Sequence, residues 1–132
     1  MTYARDIHIR WRDLDVFGHV NNSVYITYLE EARTGWLREA LALAEMRWHV
    51  VVARMTIDFR RPLRLSDGTV TAMCTLERMG TSSFTVREEL RKLDGTLVAE
   101  AETVLVAVEG DSGEPRPLTP DERDALRGAA DR

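Results

Sequence analysis

Residues 11–22, WRDLDVFGHVNN, concentrate groups that could do chemistry. Two carboxylates, Asp13 and Asp15, precede His19, Asn21 and Asn22. A carboxylate can attack a carbonyl carbon or activate water, and a histidine can orient water or donate a hydrogen bond. Where a helix follows, its first N–H groups have no internal acceptor and carry a positive partial charge, so they can stabilise an oxyanion. The pattern indicates a polar site at the mouth of a helix, positioned by the elements around it.

The helix is predicted directly after this stretch, with Asn22 or Ser23 as its cap. Apolar residues then recur every three or four positions; they are Tyr25, Tyr28, Leu29, Ala32, Trp36, Leu37, Ala40 and Leu41. The opposite, polar face carries Glu30, Glu31, Arg33, Arg38 and Glu39. Gly35 costs roughly 1 kcal/mol relative to alanine, so we expect another backbone to approach the helix closely there.

Alternation with a period of two predicts strands on both sides of the helix. It begins at residues 3–11, whose apolar positions are Tyr3, Ile7, Ile9 and Trp11, and returns at residues 51–59, 70–76 and 84–90. RMGTSS supplies one turn, and LDGTL predicts a hairpin. The last strand is apolar on both faces from Thr103 onward, so its end is predicted to lie centrally in the sheet.

This order of elements predicts an α+β fold in which an antiparallel sheet wraps around one long helix. A short C-terminal helix is expected at about residues 119–127, with Thr119 as its cap and Pro120 in its first turn. We find no linker or repeat, so residues 1–132 are expected to form a single domain. Exposed sheet edges would pair across a two-fold axis, which favours a homodimer or a homotetramer.

Composition narrows the classes of function. Hydrophobic residues make up 44% and charged residues 30% of 132 residues, as in an ordinary globular protein. No apolar segment approaches the ~20 residues that span a bilayer, and no signal core is evident, so a cytoplasmic location is expected, without a membrane partner. The net charge of −4 offers no general field for nucleic acid. Cys74 is predicted to be a buried strand residue, and the sequence contains no metal-binding motif.

DLDVFGHVNNSVYITYLEEAR resembles the N-terminal signature of the hotdog-fold acyl-CoA thioesterases of the 4-hydroxybenzoyl-CoA thioesterase type. FRRPLRLSD is similar to the strand and turn segment of that family, and RMGTSSFTV to its later Gly-x-Ser-Ser turn. The resemblance covers residues 3 to about 110. It implies a hotdog fold with a five-stranded sheet and an enzyme that hydrolyses acyl-CoA to a free acid and coenzyme A.

The resemblance also implies roles for the residues at the helix mouth. Asp15 is expected to act as nucleophile or general base, and the backbone N–H of Asn22 to polarise the thioester carbonyl. His19 is expected to assist catalysis, although a structural hydrogen bond explains it as well. Asn21 could contact substrate or cap the helix. Asp13 is interpreted as structural, because two close carboxylates would disfavour double ionisation.

Further residues are expected to bind substrate. Tyr25 is placed at the substrate site, although its helix position mainly favours the core. The turn Gly80, Thr81, Ser82 and Ser83 would meet the pantetheine amides, and Arg60, Arg61 or Arg64 the phosphates. A solvated sheet face explains these arginines about as well. The expected reaction needs no metal or other cofactor, since coenzyme A is part of the substrate.

Three alternatives stay open. The substrate could be an acyl thioester of acyl carrier protein rather than of coenzyme A. A hydratase or dehydratase on the same fold would use His19 with an acid to move a proton alpha to a thioester carbonyl. A non-catalytic protein would bind the acyl thioester without releasing thiol.

Overall fold

The computed structural model describes residues 3–44 and 49–130. Its elements are β1 (Tyr3–His8), α1 (Asn22–Ala44), β2 (Val50–Phe59), β3 (Thr69–Met79), β4 (Ser83–Lys92), β5 (Leu97–Ala107) and α2 (Pro120–Ala130). The five strands form one antiparallel sheet in the order β1-β3-β4-β5-β2. This arrangement confirms the predicted α+β fold with a long helix against an antiparallel sheet.

The core lies between α1 and the inner face of the sheet. Tyr28, Leu29 and Trp36 on α1 are at most 1% exposed. They pack against alternating residues of the sheet, and the rings of Trp36 and Phe84 meet edge to face with centroids 6.0 Å apart. Burial of each large apolar side chain contributes about 1.5–3 kcal/mol, so this face holds the helix on the sheet.

The alternation predicted for the central strands is confirmed. On β4, the inward positions include Phe84, Val86 and Leu90, all fully buried. β5 lies between β4 and β2, as expected for a strand with apolar residues on both faces.

Two strand predictions were wrong in detail. β1 ends at His8, and Trp11 lies in a 3-10 turn with 78% of its surface exposed, because the chain leaves the sheet before that position. β2 does not keep its apolar residues on one buried face. It is an edge strand with a register shift between Val52 and Arg54, and Val51 and Val52 are both 48% exposed. α1 lies mainly over β1, β3 and β4, so the helix does little to cover this edge.

Arg33 corrects the predicted polar face of α1. It is buried, and its Nη1 atom donates a 2.7 Å hydrogen bond to Oε2 of Glu88 on β4. The hydroxyl of Thr103 donates to the other carboxylate oxygen. Burial raises the pKa of Glu88, while the charge of Arg33 and the bonds from Thr103 and Arg33 act against that rise. Glu88, the charged partner in the core, offsets the cost of burying Arg33. The helical period of the sequence does not reveal this pair.

Gly35 is close to a side chain rather than to a backbone. A Cβ atom at this position would clash with the hydroxyl oxygen and ring of Tyr3. The close approach was predicted correctly, but its partner was not.

The C-terminal arm packs on α1 through α2. Thr119 and Glu122 form a reciprocal cap: the Glu122 N–H donates to the Thr119 hydroxyl at 3.1 Å, and the Thr119 N–H to the Glu122 carboxylate at 2.8 Å. Leu118 and Leu126, which flank this cap in sequence, are both buried. Within the described residues, neither helix is both long and apolar enough to cross a bilayer.

Candidate active site

A tight loop before α1 presents Asp15. Leu14 and Val20 form an antiparallel bridge, and the Asp15 N–H donates to the carbonyl of His19 at 2.9 Å. The Gly18 N–H closes the turn on the Asp15 carbonyl at 3.1 Å. Gly18 has a φ of 79°, a conformation that glycine adopts without steric cost. The loop therefore fixes the backbone of Asp15 directly beside the start of the helix.

The Asp15 carboxylate is held by two donors. Its Oδ1 accepts the backbone N–H of Phe17 at 2.9 Å, and its Oδ2 lies 3.4 Å from Nδ2 of Asn21. The residue is partly exposed, so the carboxylate can meet a bound molecule. These contacts orient a charged oxygen toward the helix mouth.

Asn21, not Asn22 or Ser23, caps α1. Its Oδ1 accepts both the N–H of Ser23 at 2.9 Å and the Ser23 hydroxyl at 2.6 Å, and its carbonyl accepts the N–H of Val24 at 2.9 Å. The predicted cap was one residue late, because a run of Asn-Asn-Ser offers three good capping residues in succession. Asn21 contacts both the helix start and Asp15, so it links the two.

The backbone N–H of Asn22 is the first of the helix. Across residues 3–44 and 49–130, this N–H has no acceptor. It is therefore available to a carbonyl oxygen placed at the mouth, in the position where the helix dipole favours negative charge.

An open cleft of about 610 Å³ brings these groups together. Of the predicted site residues, Asp15, His19, Asn21, Asn22, Tyr25, Arg60 and Arg61 line it. Phe17, Val20, Phe59 and Pro62 complete the lining. Sequence reasoning did not single out these four; the signal was their adjacency to the polar motif and to FRRPL. A polar depression of about 190 Å³ lies elsewhere, among outward-facing sheet residues such as Arg87 and Glu100.

Tyr25 lies in the core and forms one wall of the cleft. Only 2% of its surface is exposed, and its ring meets that of Phe59 edge to face with centroids 5.4 Å apart. Its hydroxyl donates to the carbonyl of Arg61 at 2.9 Å and accepts the N–H of Leu63 at 2.8 Å. The hydroxyl is thus engaged with the backbone.

The two cleft arginines differ in their surroundings. Arg60 lies 3.4 Å from Glu100 and 3.7 Å from Asp58. Arg61 is exposed and forms no ion pair within the described part of the chain. Arg61 is therefore the cation at the cleft that is more available to an anionic group.

The predicted carrier-binding turn, residues 80–83, does not reach this cleft in the same chain. Ser83 begins β4, while Leu90 lies in the row of Ala99 and Phe59 at the cleft end. Seven residues of strand at about 3.3 Å each separate the two ends by about 23 Å. Carbonyls of the turn accept hydrogen bonds from the C-terminal arm, including Gly80 from Arg123 and Thr81 from Leu118.

Asp13 lies away from the cleft, in the interior. Its Oδ2 accepts the Tyr28 hydroxyl at 2.5 Å and the Arg10 N–H at 3.0 Å. Burial by itself would raise the Asp13 pKa, but the hydrogen bonds from Tyr28 and Arg10 and the charge of Arg10 outweigh it and hold that pKa below its ordinary value. These contacts agree with its interpretation as a structural residue.

Cys74 is buried on β3, and burial raises the pKa of its thiol. A neutral, enclosed thiol is a poor nucleophile. Within residues 3–44 and 49–130, no group of three or more His, Cys, Asp or Glu side chains is placed to hold a metal ion.

A five-stranded antiparallel sheet against one long helix, with a carboxylate beside the helix N-terminus, defines the class of hotdog thioesterases. A family model described as the thioesterase-like superfamily matches residues 9–126, and the chain belongs to this superfamily.

The chain is also similar to individual proteins that are named as thioesterases. The chain is 33% identical over 107 residues to the long-chain acyl-CoA thioesterase FadM of Escherichia coli (strain K12), covering 78% of this chain and 80% of the relative. The acyl-CoA thioester hydrolase YbgC of Escherichia coli O6:H1 is 29% identical over 116 residues, covering 85% and 86%. A thioesterase from Thermus thermophilus, crystallised with coenzyme A and Zn, superposes with a TM-score of 0.85 at 33% identity over 98% of this chain and 94% of that one.

Proposed function

We propose that this protein hydrolyses acyl-CoA thioesters to a free acid and coenzyme A. One observation carries the proposal: Asp15 and Asn22 line the same cleft, and the Asn22 N–H has no acceptor among the described residues. Thioester hydrolysis requires a nucleophile at the carbonyl carbon and a donor at the carbonyl oxygen. The similarity to acyl-CoA thioesterases supports the same reaction.

In the proposed mechanism, the thioester carbonyl oxygen accepts a hydrogen bond from the Asn22 N–H. Asp15 either attacks the carbonyl carbon, forming an anhydride that water then hydrolyses, or removes a proton from an attacking water. The carbon–sulfur bond breaks in either case, and coenzyme A leaves as its thiolate, which takes up a proton. His19, at the same cleft, would orient the water. Asn21 holds the carboxylate and the helix start in register through its two ends.

The carrier would lie along the mouth of the cleft. Arg61, with Arg60 beside it, supplies positive charge for the phosphates of coenzyme A. Because about 23 Å of strand separates the turn from the cleft, we propose that residues Gly80 to Ser83 contact pantetheine from another chain.

That separation supports a homodimer. The β2 edge carries Val51, Val52 and Phe59, each more than 40% exposed, and pairing of two such edges would cover them. A two-fold assembly could then bring the turn of one protomer to the cleft of its partner, and two dimers could pair into a tetramer. We propose a cytoplasmic location, as expected from the sequence.

A thiol-release screen tests the reaction. Short, long and aromatic acyl-CoA species are each incubated with the protein, and free thiol is measured with a colorimetric reagent. We expect release of one thiol per acyl group for at least one class. Matched acyl carrier protein substrates decide between the two carriers.

The same incubations distinguish the other activities. Hydration of an enoyl thioester without thiol release would identify a hydratase instead. Tight binding without any turnover would identify a binding protein.

A further inference from the structure

The segment that carries Arg60 and Arg61 is hydrogen-bonded to three parts of the fold, namely β5, the Asp15 loop and α1. The N–H groups of Arg60 and Arg61 both donate to the carbonyl of Val98 on β5, at 2.8 and 3.1 Å. The carbonyl of Leu63 accepts the N–H of Val20 from the Asp15 loop at 2.8 Å. Between these contacts lies Pro62, which has no N–H to donate.

Tyr25 spans that interruption. Its hydroxyl donates to the carbonyl before Pro62 and accepts the N–H after it, at 2.9 and 2.8 Å. The bond with Leu63 is buried and the bond with Arg61 is partly buried, since Tyr25 is 2% and Leu63 0% exposed. The phenol oxygen of Tyr25, in the first turn of α1, thereby connects the backbone on the two sides of Pro62.

The first turn of α1 is also where the Asn22 N–H lies. Tyr25 is three residues further along the helix, within one turn of 3.6 residues. One helix turn therefore connects the Asn22 N–H to the segment that holds Arg61, which forms no ion pair with any described residue.

We infer that Tyr25 is a positioning residue that sets where Arg61 stands relative to the helix mouth, and so couples the carrier's phosphates to the reacting carbonyl. This inference rests on the proposed function, since it assumes that Arg61 meets the phosphates of coenzyme A. Tyr25 acts through the backbone of residues 61–63 and does not itself touch the substrate with its hydroxyl.

Coenzyme A itself is the probe, with its dissociation constant measured by isothermal titration calorimetry. We call the two hydrogen bonds of the Tyr25 hydroxyl, to Arg61 and Leu63, the clamp. Tyr25→Phe removes the clamp oxygen and keeps the ring against Phe59. Tyr28→Phe is the matched control, because it removes another buried, hydrogen-bonded phenol from the same helix, one whose partner is Asp13. We expect Tyr25→Phe to raise the dissociation constant at least fivefold and Tyr28→Phe to change it less than twofold. For acyl-CoA hydrolysis, KM should rise more than kcat falls.

A double variant tests the route. Arg61→Ala should weaken coenzyme A binding, and Tyr25→Phe added to it should weaken binding by less than a further twofold, because the clamp acts through Arg61. An equal effect of Tyr25→Phe in both backgrounds would overturn the inference, as would an Arg61→Ala variant that binds coenzyme A like the wild type.

Amide hydrogen exchange gives a readout in the unaltered protein. The Leu63 N–H should exchange more slowly when coenzyme A is bound, and no change in its protection would count against the clamp. Binding is measured without turnover, so failure of hydrolysis in the wild type would reject the proposed function separately from Tyr25.

Discussion

Asn22→Pro isolates the oxyanion donor with little cost to the fold. Asn22 is the first residue of α1, directly after the cap Asn21. Proline is favoured at this first helical position, where its fixed φ suits the helix and its missing N–H has no helical partner. The substitution deletes one backbone hydrogen-bond donor and leaves the Asn21 contacts to Ser23 and Asp15 in place.

The magnitude follows from how many donors are free. Asn21 already occupies the N–H groups of Ser23 and Val24. Of these three, the Asn22 N–H is the one with no acceptor in the described part of the chain. Removing such a donor costs roughly 2.7–4 kcal/mol of transition-state stabilisation, or about 10²–10³ in kcat. Helix content should be unchanged.

The assay is kcat for thiol release at saturating acyl-CoA, with folding checked by circular dichroism and thermal unfolding. Asn22→Ala is the control, since it keeps the N–H and changes an exposed side chain, and should retain most of the turnover. A folded Asn22→Pro variant with kcat within a few-fold of the wild type would refute the helix-mouth mechanism. Loss of turnover in Asn22→Ala instead would assign the chemistry to the side chain.

Three other predictions address the supports of the site. Asn21→Ala should lower the free energy of unfolding by about 0.5–2 kcal/mol, the value of a cap, and should also lower kcat because Asp15 loses its Nδ2 contact; intact kcat would contradict the linking role. The fold lowers the pKa of Asp13, so its carboxylate stabilises the folded state fully above the ordinary pKa of 3.8. This stabilisation is lost progressively as the pH falls through the lower pKa of the folded state. Denaturant titrations should therefore show Asp13→Asn less stable at neutral pH and less sensitive to acid below about pH 4, and an unchanged pH profile would argue against this. The wild type should sediment as a dimer or tetramer. Val52→Arg on the β2 edge should yield monomers without turnover, whereas Leu93→Arg on an exposed hairpin should leave assembly and turnover intact. A fully active wild-type monomer at micromolar concentration would exclude a site that two protomers share.

The sequence predicted the central sheet well because burial there depends on local alternation. β3, β4 and β5 each have neighbours on both sides, so most of their inward residues are apolar, with Glu88 and Thr103 as buried polar exceptions. β2 follows the same pattern in sequence but lies at an edge, where only the tertiary arrangement decides which face is covered. The period of the hydrophobic pattern does not show whether a strand lies at the edge of the sheet.

The helix shows the same limit. Its apolar stripe was readable, but Arg33 was assigned to solvent because its partner Glu88 lies 55 residues away in the chain. A buried ion pair depends on two distant residues meeting, and neither residue signals it alone.

At the site, the motif localised the chemistry, while the exact contacts required the fold. Asp15, His19, Asn21 and Asn22 are neighbours in sequence, so their meeting at one cleft follows from a single loop. Arg60 and Arg61 join them only through the return of the chain after β2. The shift of the cap to Asn21 could not be read from composition, since all three candidate residues are good caps.

Asp15→Asn tests the central claim most directly. The near-isosteric amide can keep the hydrogen bond from Phe17, so the loop should retain its shape while the negative charge is lost. Asp111→Asn, at an exposed loop position, is the matched control. We expect kcat for acyl-CoA hydrolysis to fall by about 10²–10⁴ in Asp15→Asn and to stay unchanged in the control. A folded Asp15→Asn variant that releases thiol within a few-fold of the wild-type rate would contradict the role of this carboxylate.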